Sequence, residues 1–328
     1  MTLLSRFLRA VALTPAALAC GLLMPASAQA QDYPNKPIRI IVPFAPGGLP
    51  DTVARIVGNS LQERTKQSVV VENRAGGGGS VGALALAAAP PDGYTFIITD
   101  NSWLSINPSM FKELSYDPAK FRTVARLAQA PLFLAAHPSV PVNSMKEFIE
   151  YARKNPGKIN YGSSGVGSTH HLTMEALKAN LKLEMSHVPF KGTGQSVPAL
   201  LGGHVDVLFS AFPSLSGAVK SKQVKLLATN SLERYKQAPE IPAVSEFIPG
   251  FSFAPMIGVY ARADMPDKLA EQIAKEFVAI TKEPEVIKRF TSAGIDASGA
   301  GPAEFEKALQ EETARVKATV KAAKIQPQ

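Results

Sequence analysis

Residues 38–58 read IRIIVPFAPGGLPDTVARIVG, and residues 159–177 read INYGSSGVGSTHHLTMEAL. In both segments an apolar run ends at glycines, and a helical pattern begins directly after them. The first N–H groups of a helix have no partner within the helix, and the helix dipole adds partial positive charge at the same end. Each junction can therefore hold an anion without Arg or Lys. Two such junctions, far apart in the chain, indicate two lobes that close on a small carboxylate.

Strand and helix signals alternate along the chain, which predicts an α/β architecture with largely parallel sheets. Two apolar stretches, near residues 124–136 and 251–261, are longer than the other strand candidates, and long strands can run from one lobe to the other. We therefore expect the chain to cross between the lobes near Gln129 and Ser252. The predicted division is residues 31–128 and 253–328 in the first lobe and residues 129–252 in the second.

Residues 1–30 have the features of a secretory signal peptide. Two arginines and a mostly apolar stretch at 10–23 precede an A-x-A cleavage site at 28–30. We predict cleavage after Ala30, with cleavage two residues earlier as the alternative, and a periplasmic location. The one cysteine of the chain, Cys20, lies within this segment. The mature protein would therefore have no disulfide, and its core must stabilise it.

The composition is that of an ordinary soluble globular protein, with 45% hydrophobic and 19% charged residues among 328. The formal net charge is +8, but the basic residues are scattered and form no long run. Scattered charge is typical of a solvated surface rather than of a nucleic-acid-binding face. We expect a monomer that does not bind nucleic acid.

Candidate ligand contacts come from the two junctions and from neighbouring strand ends, where open α/β sheets bind ligands. Ser168 is predicted to cap the helix that follows it, so that its hydroxyl satisfies the helix, the ligand or both. Asp51 is either a first-turn acid favoured by the helix dipole or a ligand contact. Asp206, at the start of a strand, could pair with a donor. The candidates are Phe44, Pro46, Gly47, Gly48, Asp51, Asn101 and Ser102 in the first lobe, and Ser163, Ser164, Gly167, Ser168, Thr169, Asp206 and Ser210 in the second.

Three other kinds of site are weighed against this interpretation. A G-x-G-x-x-G pattern at 77–82 with Asp100 further on approximates a dinucleotide fingerprint, but an exported protein meets little nicotinamide cofactor. The segment at 161–168 lacks the G-x-S-x-G spacing of a hydrolase nucleophile elbow. His170 and His171 are adjacent and cannot share a helix face, and no third ligand has metal-site spacing. The sequence therefore predicts no enzyme, no cofactor and no metal.

Segments spread over the whole mature chain follow the order and spacing of one family. They are YPNKPIRIIVPFAPGGLPD at 33–51, VVVENRAGGGGSVGA at 69–83, PDGYTF at 91–96, INP at 106–108, NPGKINYGSSGVGSTHHL at 155–172, VPFKGTGQSVPALLGGHVDVLF at 188–209, KLLATNSLERY at 225–235, IPAVSEF at 241–247 and PGF at 249–251. Together these segments resemble the periplasmic solute receptors of tripartite tricarboxylate transporters, which are also called the Bug family.

The resemblance implies a two-lobe periplasmic-binding-protein fold (type II-like) with the ligand cleft between the lobes. It implies a small organic carboxylate as ligand, held by backbone amides, hydroxyls and bridging waters in the loops at 44–51 and 163–169. It also implies delivery to membrane transporter subunits. Ligand sensing with a sensor kinase, through the same site, is the alternative.

One departure from the family pattern bears on the ligand. Many relatives carry Asp or Asn just after the VDVLF-like strand, whereas this chain has Ser210-Ala211. Receptors for amino acids need an acceptor for the ammonium group. The missing acid favours a plain organic acid.

Overall fold

The computed structural model describes residues 33–322 and 324–327, so the predicted signal peptide lies outside the described residues. Between these limits short strands alternate with helices. The strands are β1 Ile38–Val42, β2 Val69–Asn73, β3 Thr95–Asp100, β4 Phe121–Gln129, β5 Leu132–Ala136, β6 Ile159–Ser163, β7 Met185–Pro189, β8 Val207–Ala211, β9 Lys225–Thr229, β10 Met256–Arg262 and β11 Asp296–Ala300.

The helices place their buried faces against the strands. On α1, for example, Val53, Ile56, Val57 and Leu61 are buried at helical spacing. The helices are α1 Leu49–Thr65, α2 Ser80–Ala87, α3 Ser102–Ser105, α4 Asn107–Met110, α5 Met145–Lys154, α6 Thr169–Leu181, α7 Thr193–Leu201, α8 Phe212–Lys220, α9 Asp267–Ile280, α10 Pro284–Ser292 and α11 Pro302–Ala322. Within the described part of the chain, none of them has both the length and the apolar character of a membrane span.

The strands form two separate sheets. One has six strands in the order β11-β4-β10-β3-β1-β2, and the other has five in the order β7-β6-β8-β5-β9. The first sheet combines strands from both ends of the described chain, whereas the second is built from its middle. The α/β fold with two lobes that the sequence predicts is therefore confirmed.

The prediction of largely parallel sheets is wrong, because both sheets are mixed. β1 is parallel to β2 and β3, and β6 is parallel to β7 and β8. However, β10 is antiparallel to both of its neighbours, and so is β5. Each of these two strands follows a crossing and carries the chain away from the cleft, opposite to the strands that end there. The crossings between the lobes therefore set the directions of β5 and β10, whereas β11, which is antiparallel to β4, reverses within its own lobe.

The two long strands that the sequence predicts are also shorter in the structure. The stretch at 124–136 is divided, because β4 ends at Gln129 and β5 begins at Leu132 in the other sheet. Pro131 stands between them, and proline has no N–H to donate and restricts the residue before it. The second stretch forms a strand only from Met256 onward. The lobe boundaries drawn from the sequence stay a proposal about where the hinge lies.

Candidate functional site

The two lobes enclose a small space, here called the inner cavity, at the carboxyl ends of β3 and β8 and beside the starts of α1, α6 and α7. Its volume is about 20 Å³, which is room for about one water molecule. The lining residues come from both lobes: Phe44, Gly48, Leu49, Pro50, Asp100, Ser164, His170, Thr193, Ala211, Pro255 and Ile257.

A second and larger space of about 380 Å³, here called the outer chamber, adjoins the inner cavity. Phe44 and Ser164 line both spaces and so form the wall between them. The outer chamber is lined by Phe44, Gly76, Gly77, Gly78, Phe111, Ser164, Gly165, Val166, Pro189, Phe190, Lys191 and Gln195.

At the first junction, the glycines let the chain turn and let the other lobe approach. Gly47 has a φ of +84°, which favours glycine, and its carbonyl accepts a hydrogen bond of 3.1 Å from Ser214 Oγ in the second lobe. Gly48 has an ordinary extended conformation, but a Cβ at that position would lie 2.8 Å from Thr193 Oγ1. Gly48 also begins α1 without any side-chain cap. The first N–H groups of α1 are therefore left without a capping side chain, beside the inner cavity.

Asp51, predicted as a first-turn acid or a ligand contact, is a structural residue. Its carboxylate accepts hydrogen bonds from Gly47 N, Arg55 Nε and Asn73 Nδ2, all at 3.0 Å. Burial raises the pKa of Asp51, but these donors outweigh it and hold the pKa below its usual value. The carboxylate links the loop at Gly47 to Arg55 on α1 and to Asn73 on β2, and it does not line the inner cavity.

At the second junction, the Ser168 hydroxyl is committed to the helix. It accepts a hydrogen bond of 3.2 Å from His171 N, as an N-cap does, and donates one of 2.7 Å to the Gly165 carbonyl. Gly167 has a φ of +77°, and a Cβ there would lie 2.2 Å from Asn107 Oδ1 in the first lobe. Both residues shape the loop and the contact between lobes.

Asp100 joins the lobes and was not among the predicted contacts. Thr169 Oγ1 donates a hydrogen bond of 2.9 Å to its Oδ2 across the cleft, and Ser102 Oγ donates one of 2.6 Å to its Oδ1. Burial raises the pKa of this carboxyl, although the donated bonds oppose the shift. The sequence could have indicated Asp100 as a site residue, because it is the last residue of β3, at a strand end where ligands bind.

Two buried polar atoms among the lining residues have no hydrogen-bond partner. They are the hydroxyl of Ser164, a residue only 4% exposed, and Nδ1 of His170. Burial lowers the pKa of His170 to about 4, so the imidazole is neutral at neutral pH. Buried polar groups almost always have a partner, so an unpartnered pair beside one cavity indicates a place for a polar guest.

Ser163 stabilises the loop at 163–169 and does not line the inner cavity. Its hydroxyl lies 2.6 Å from His187 Nε2 and accepts a 3.0 Å hydrogen bond from Gly165 N. The His187 ring is stacked between Tyr161 at 4.8 Å and His171 at 4.2 Å, both at 13°. Burial lowers the pKa of His171 to about 4 and that of His187 to about 3. This neutral three-ring stack supports the loop.

Two further predicted contacts, Asn101 and Asp206, are not among the residues that line the inner cavity. Asn101 Nδ2 donates a 3.0 Å hydrogen bond to Ser105 Oγ, and Asn101 Oδ1 accepts one of 3.1 Å from Met256 N. The second bond ties the end of β3 to the start of β10. Asp206 precedes β8, and its carboxylate accepts a 2.7 Å hydrogen bond from the backbone N–H of Asn160. That is the far end of β8, about 16 Å from the cleft.

Ser210 is fully buried on β8, and its hydroxyl has no partner, but it does not line the inner cavity. Its neighbour Ala211 does so instead, because successive strand residues point to opposite faces. Among the described residues, no group of three or more His, Cys, Asp or Glu side chains is placed to hold a metal ion.

A family model described as "Tripartite tricarboxylate transporter family receptor" (TctC) matches residues 53–325. The protein BugT of Bordetella pertussis is 30% identical over 277 residues, which cover 84% of this chain and 84% of that protein.

Solved structures of similar proteins have the same fold over nearly their full length. "R. palustris Rpa4515 with adipate" has a TM-score of 0.87 at 30% identity, covering 90% of this chain and 100% of that one. The "periplasmic binding protein BugD" has a TM-score of 0.85 at 29% identity, with the same coverage of 90% and 100%.

Proposed function

Because this chain belongs to the tripartite tricarboxylate transporter family of receptors, the family that its sequence resembles, we propose that it captures a small organic carboxylate in the periplasm. In this proposal the lobes close on the ligand and the closed receptor delivers it to a tripartite tricarboxylate-type membrane transporter. The observation that carries the proposal is the inner cavity, where the uncapped start of α1 meets the unpartnered Ser164 hydroxyl. The adipate named for the similar R. palustris structure supports the ligand class.

The inner cavity offers hydrogen-bond donors to a carboxylate, beside the Asp100 carboxyl, whose pKa is raised by burial. Uncapped N–H groups and the helix dipole supply partial positive charge, and a serine hydroxyl can donate to an anion. Bonds to a charged acceptor are stronger than neutral ones, and exclusion of water strengthens them further. Since the cavity has room for about one water molecule, a carboxylate fits there only when the lobes lie further apart than they do in this structure.

We propose binding without catalysis. Ser163 and His187 lie as close as a nucleophile and its base, but Ser163 is 1% exposed and lines neither space. Within the described residues, no carboxylate forms a hydrogen bond to His187 to orient it. A nucleophile needs a base that is itself oriented and a substrate within reach, and this pair has neither.

A thermal-shift screen of mono-, di- and tricarboxylates tests the ligand class. A carboxylate at about 100 times its dissociation constant should add about 2.7 kcal/mol to the free energy of unfolding. Ser164→Ala should then weaken the best carboxylate by about 10- to 150-fold in calorimetry, the loss expected for a hydrogen bond to a charged group. Ser221→Ala, an exposed serine at the end of α8, is the matched control and should bind like wild type. Equal binding by all three proteins would move the carboxylate to another site.

Delivery is tested separately in cells. Deleting the gene should abolish uptake of the labelled carboxylate, and a plasmid copy should restore it. Uptake that continues unchanged, with loss of a transcriptional response to the same carboxylate, would favour a sensor instead.

A further inference from the structure

The outer chamber has three phenylalanines among its lining residues, whereas the inner cavity has one. The walls of the outer chamber include the side chains of Phe44, Phe111, Val166, Pro189 and Phe190, whereas the one charged side chain among its lining residues is that of Lys191. At about 380 Å³ it is also many times larger. A small space with the unpartnered Ser164 hydroxyl at its wall therefore adjoins a larger space lined by three phenylalanines.

The three phenylalanines come from separate parts of the fold. Phe44 follows β1, Phe111 follows α4, and Phe190 follows β7 in the other lobe. Phe111 also reaches the second lobe, because a Cβ on Gly167 would lie 2.6 Å from its ring. Closure of the lobes thus brings aromatic surface from both sides around one space.

None of these three rings contacts another aromatic ring in the described residues. This distinguishes them from the aromatic cluster in the first lobe, where Trp103 lies 4.7 Å from Phe121 and 5.2 Å from Tyr260. Phe44 is buried, whereas Phe111 and Phe190 keep part of their surface exposed. Phe111 packs against the larger core cluster and Phe190 against a cluster in the second lobe, so each can present only its remaining exposed surface to a ligand.

We propose that the ligand is an aromatic carboxylate, with its carboxylate in the inner cavity and its ring in the outer chamber. This inference rests on the proposed function and narrows its ligand class. The two spaces share Phe44 and Ser164 as lining residues, so a ligand with its carboxylate at Ser164 would have its ring beside Phe44.

A ring suits the chamber better than a flexible chain does. Ring pairs in edge-to-face or offset geometry gain energy beyond the area that they bury. A flexible chain must lose rotamer freedom on binding, which a rigid ring does not. Lys191, which is exposed at the chamber, accommodates a polar substituent on the far side of the ring.

The test is calorimetric titration of wild-type protein with five carboxylates: benzoate, phenylacetate, cyclohexanecarboxylate, adipate and malate. We expect benzoate or phenylacetate to bind at least about tenfold more tightly than adipate and malate, and more tightly than cyclohexanecarboxylate. Tightest binding by adipate, malate or cyclohexanecarboxylate would overturn the inference and leave the proposed function standing. Binding of no carboxylate at all would overturn both.

Variants then locate the ring. Phe111→Leu and Phe190→Leu keep the chamber apolar but remove a phenyl ring, and each should weaken the aromatic ligand by about three- to tenfold. Binding of adipate should change by less than about twofold, since burial of an aliphatic chain depends on area rather than on ring geometry. Phe247→Leu, an exposed phenylalanine outside the chamber, is the matched control. Wild-type affinity for the aromatic ligand in both chamber variants, with folding checked by circular dichroism, would contradict the assignment.

Discussion

At the scale of single residues, Ser164 and Ser168 of the second junction have different roles. Ser168 makes hydrogen bonds to His171 N and to the Gly165 carbonyl, so its hydroxyl is fully used in starting α6. Ser164 is equally buried, but its hydroxyl has no partner. The sequence indicates the N-cap role of Ser168, but it could not show that the Ser164 hydroxyl is left without a partner, because that depends on what folds around it.

Ser168→Ala should therefore lower stability rather than abolish binding. Loss of an N-cap costs about 0.5–2 kcal/mol, which urea unfolding at pH 7 can measure. The carboxylate affinity of the folded variant should stay within about threefold of wild type. Ser144→Ala, which removes the N-cap of α5 in the same lobe, gives the scale for a cap alone. Unchanged stability together with a large loss of affinity would show that the Ser168 hydroxyl serves the ligand.

At the scale of elements, the stack of Tyr161, His187 and His171 joins β6, β7 and α6 behind the ligand loop. Glu175 accepts hydrogen bonds from the Tyr161 hydroxyl and from Lys178 Nζ at its edge. The stack is therefore bordered by one anion and one cation, and both imidazoles are buried enough to stay neutral.

The stack predicts that acid destabilises the protein before its carboxylates are protonated. Burial lowers the pKa of His171 to about 4 and of His187 to about 3, whereas the unfolded chain titrates near 6.5. Between pH 6.5 and about 4 the unfolded state binds more protons, so the free energy of unfolding falls as pH falls. Each histidine contributes up to about 1.4 kcal/mol per pH unit.

Urea unfolding at pH 7, 6 and 5 measures this slope. His187→Gln removes one titrating group and keeps a polar side chain beside Ser163, so its slope should be shallower than that of wild type. Identical slopes for the two proteins would mean that His187 does not titrate differently on folding.

Local patterns predicted elements well where the physics is local. The glycine–helix junctions at 47–49 and 167–169, and the N-cap at Ser168, follow from backbone geometry and capping, which depend on a few adjacent residues. β7 and β11 are harder to predict, because short strands with exposed, mixed sequences carry little periodicity. Strand direction was missed, since it depends on where the chain crosses between lobes.

The site was predicted less completely than the fold, for a physical reason. Asp51 and Asn101 stand at the right ends of their elements, yet neighbours distant in sequence satisfy their polar groups. Asp100 and His170 line the cavity only because two lobes meet there. Which polar atoms remain without a partner is a property of the whole fold, and no local pattern carries it.

At the scale of the whole molecule, the lobes meet mainly through backbone and small side chains. Ala45 N donates a 3.0 Å hydrogen bond to the Lys191 carbonyl, and Thr169 bonds Asp100. Gly194, the second residue of α7, lies against the Pro46 carbonyl, and a Cβ there would come within 2.1 Å of that oxygen. Such contacts leave no room for added atoms, so closure should be sensitive to a single methyl group.

The most direct test of closure on a carboxylate is calorimetric titration of Gly194→Ala with the best ligand from the screen. The methyl group meets a backbone oxygen of the other lobe, and an overpacked contact costs about 1–3 kcal/mol, so we predict about 5- to 150-fold weaker binding. Gly217→Ala is the matched control, because Gly217 is also an exposed helical glycine but has nothing within 4 Å of the added carbon. It should bind like wild type. Wild-type affinity in Gly194→Ala would contradict the account, because the carboxylate would then be held without the lobes coming together.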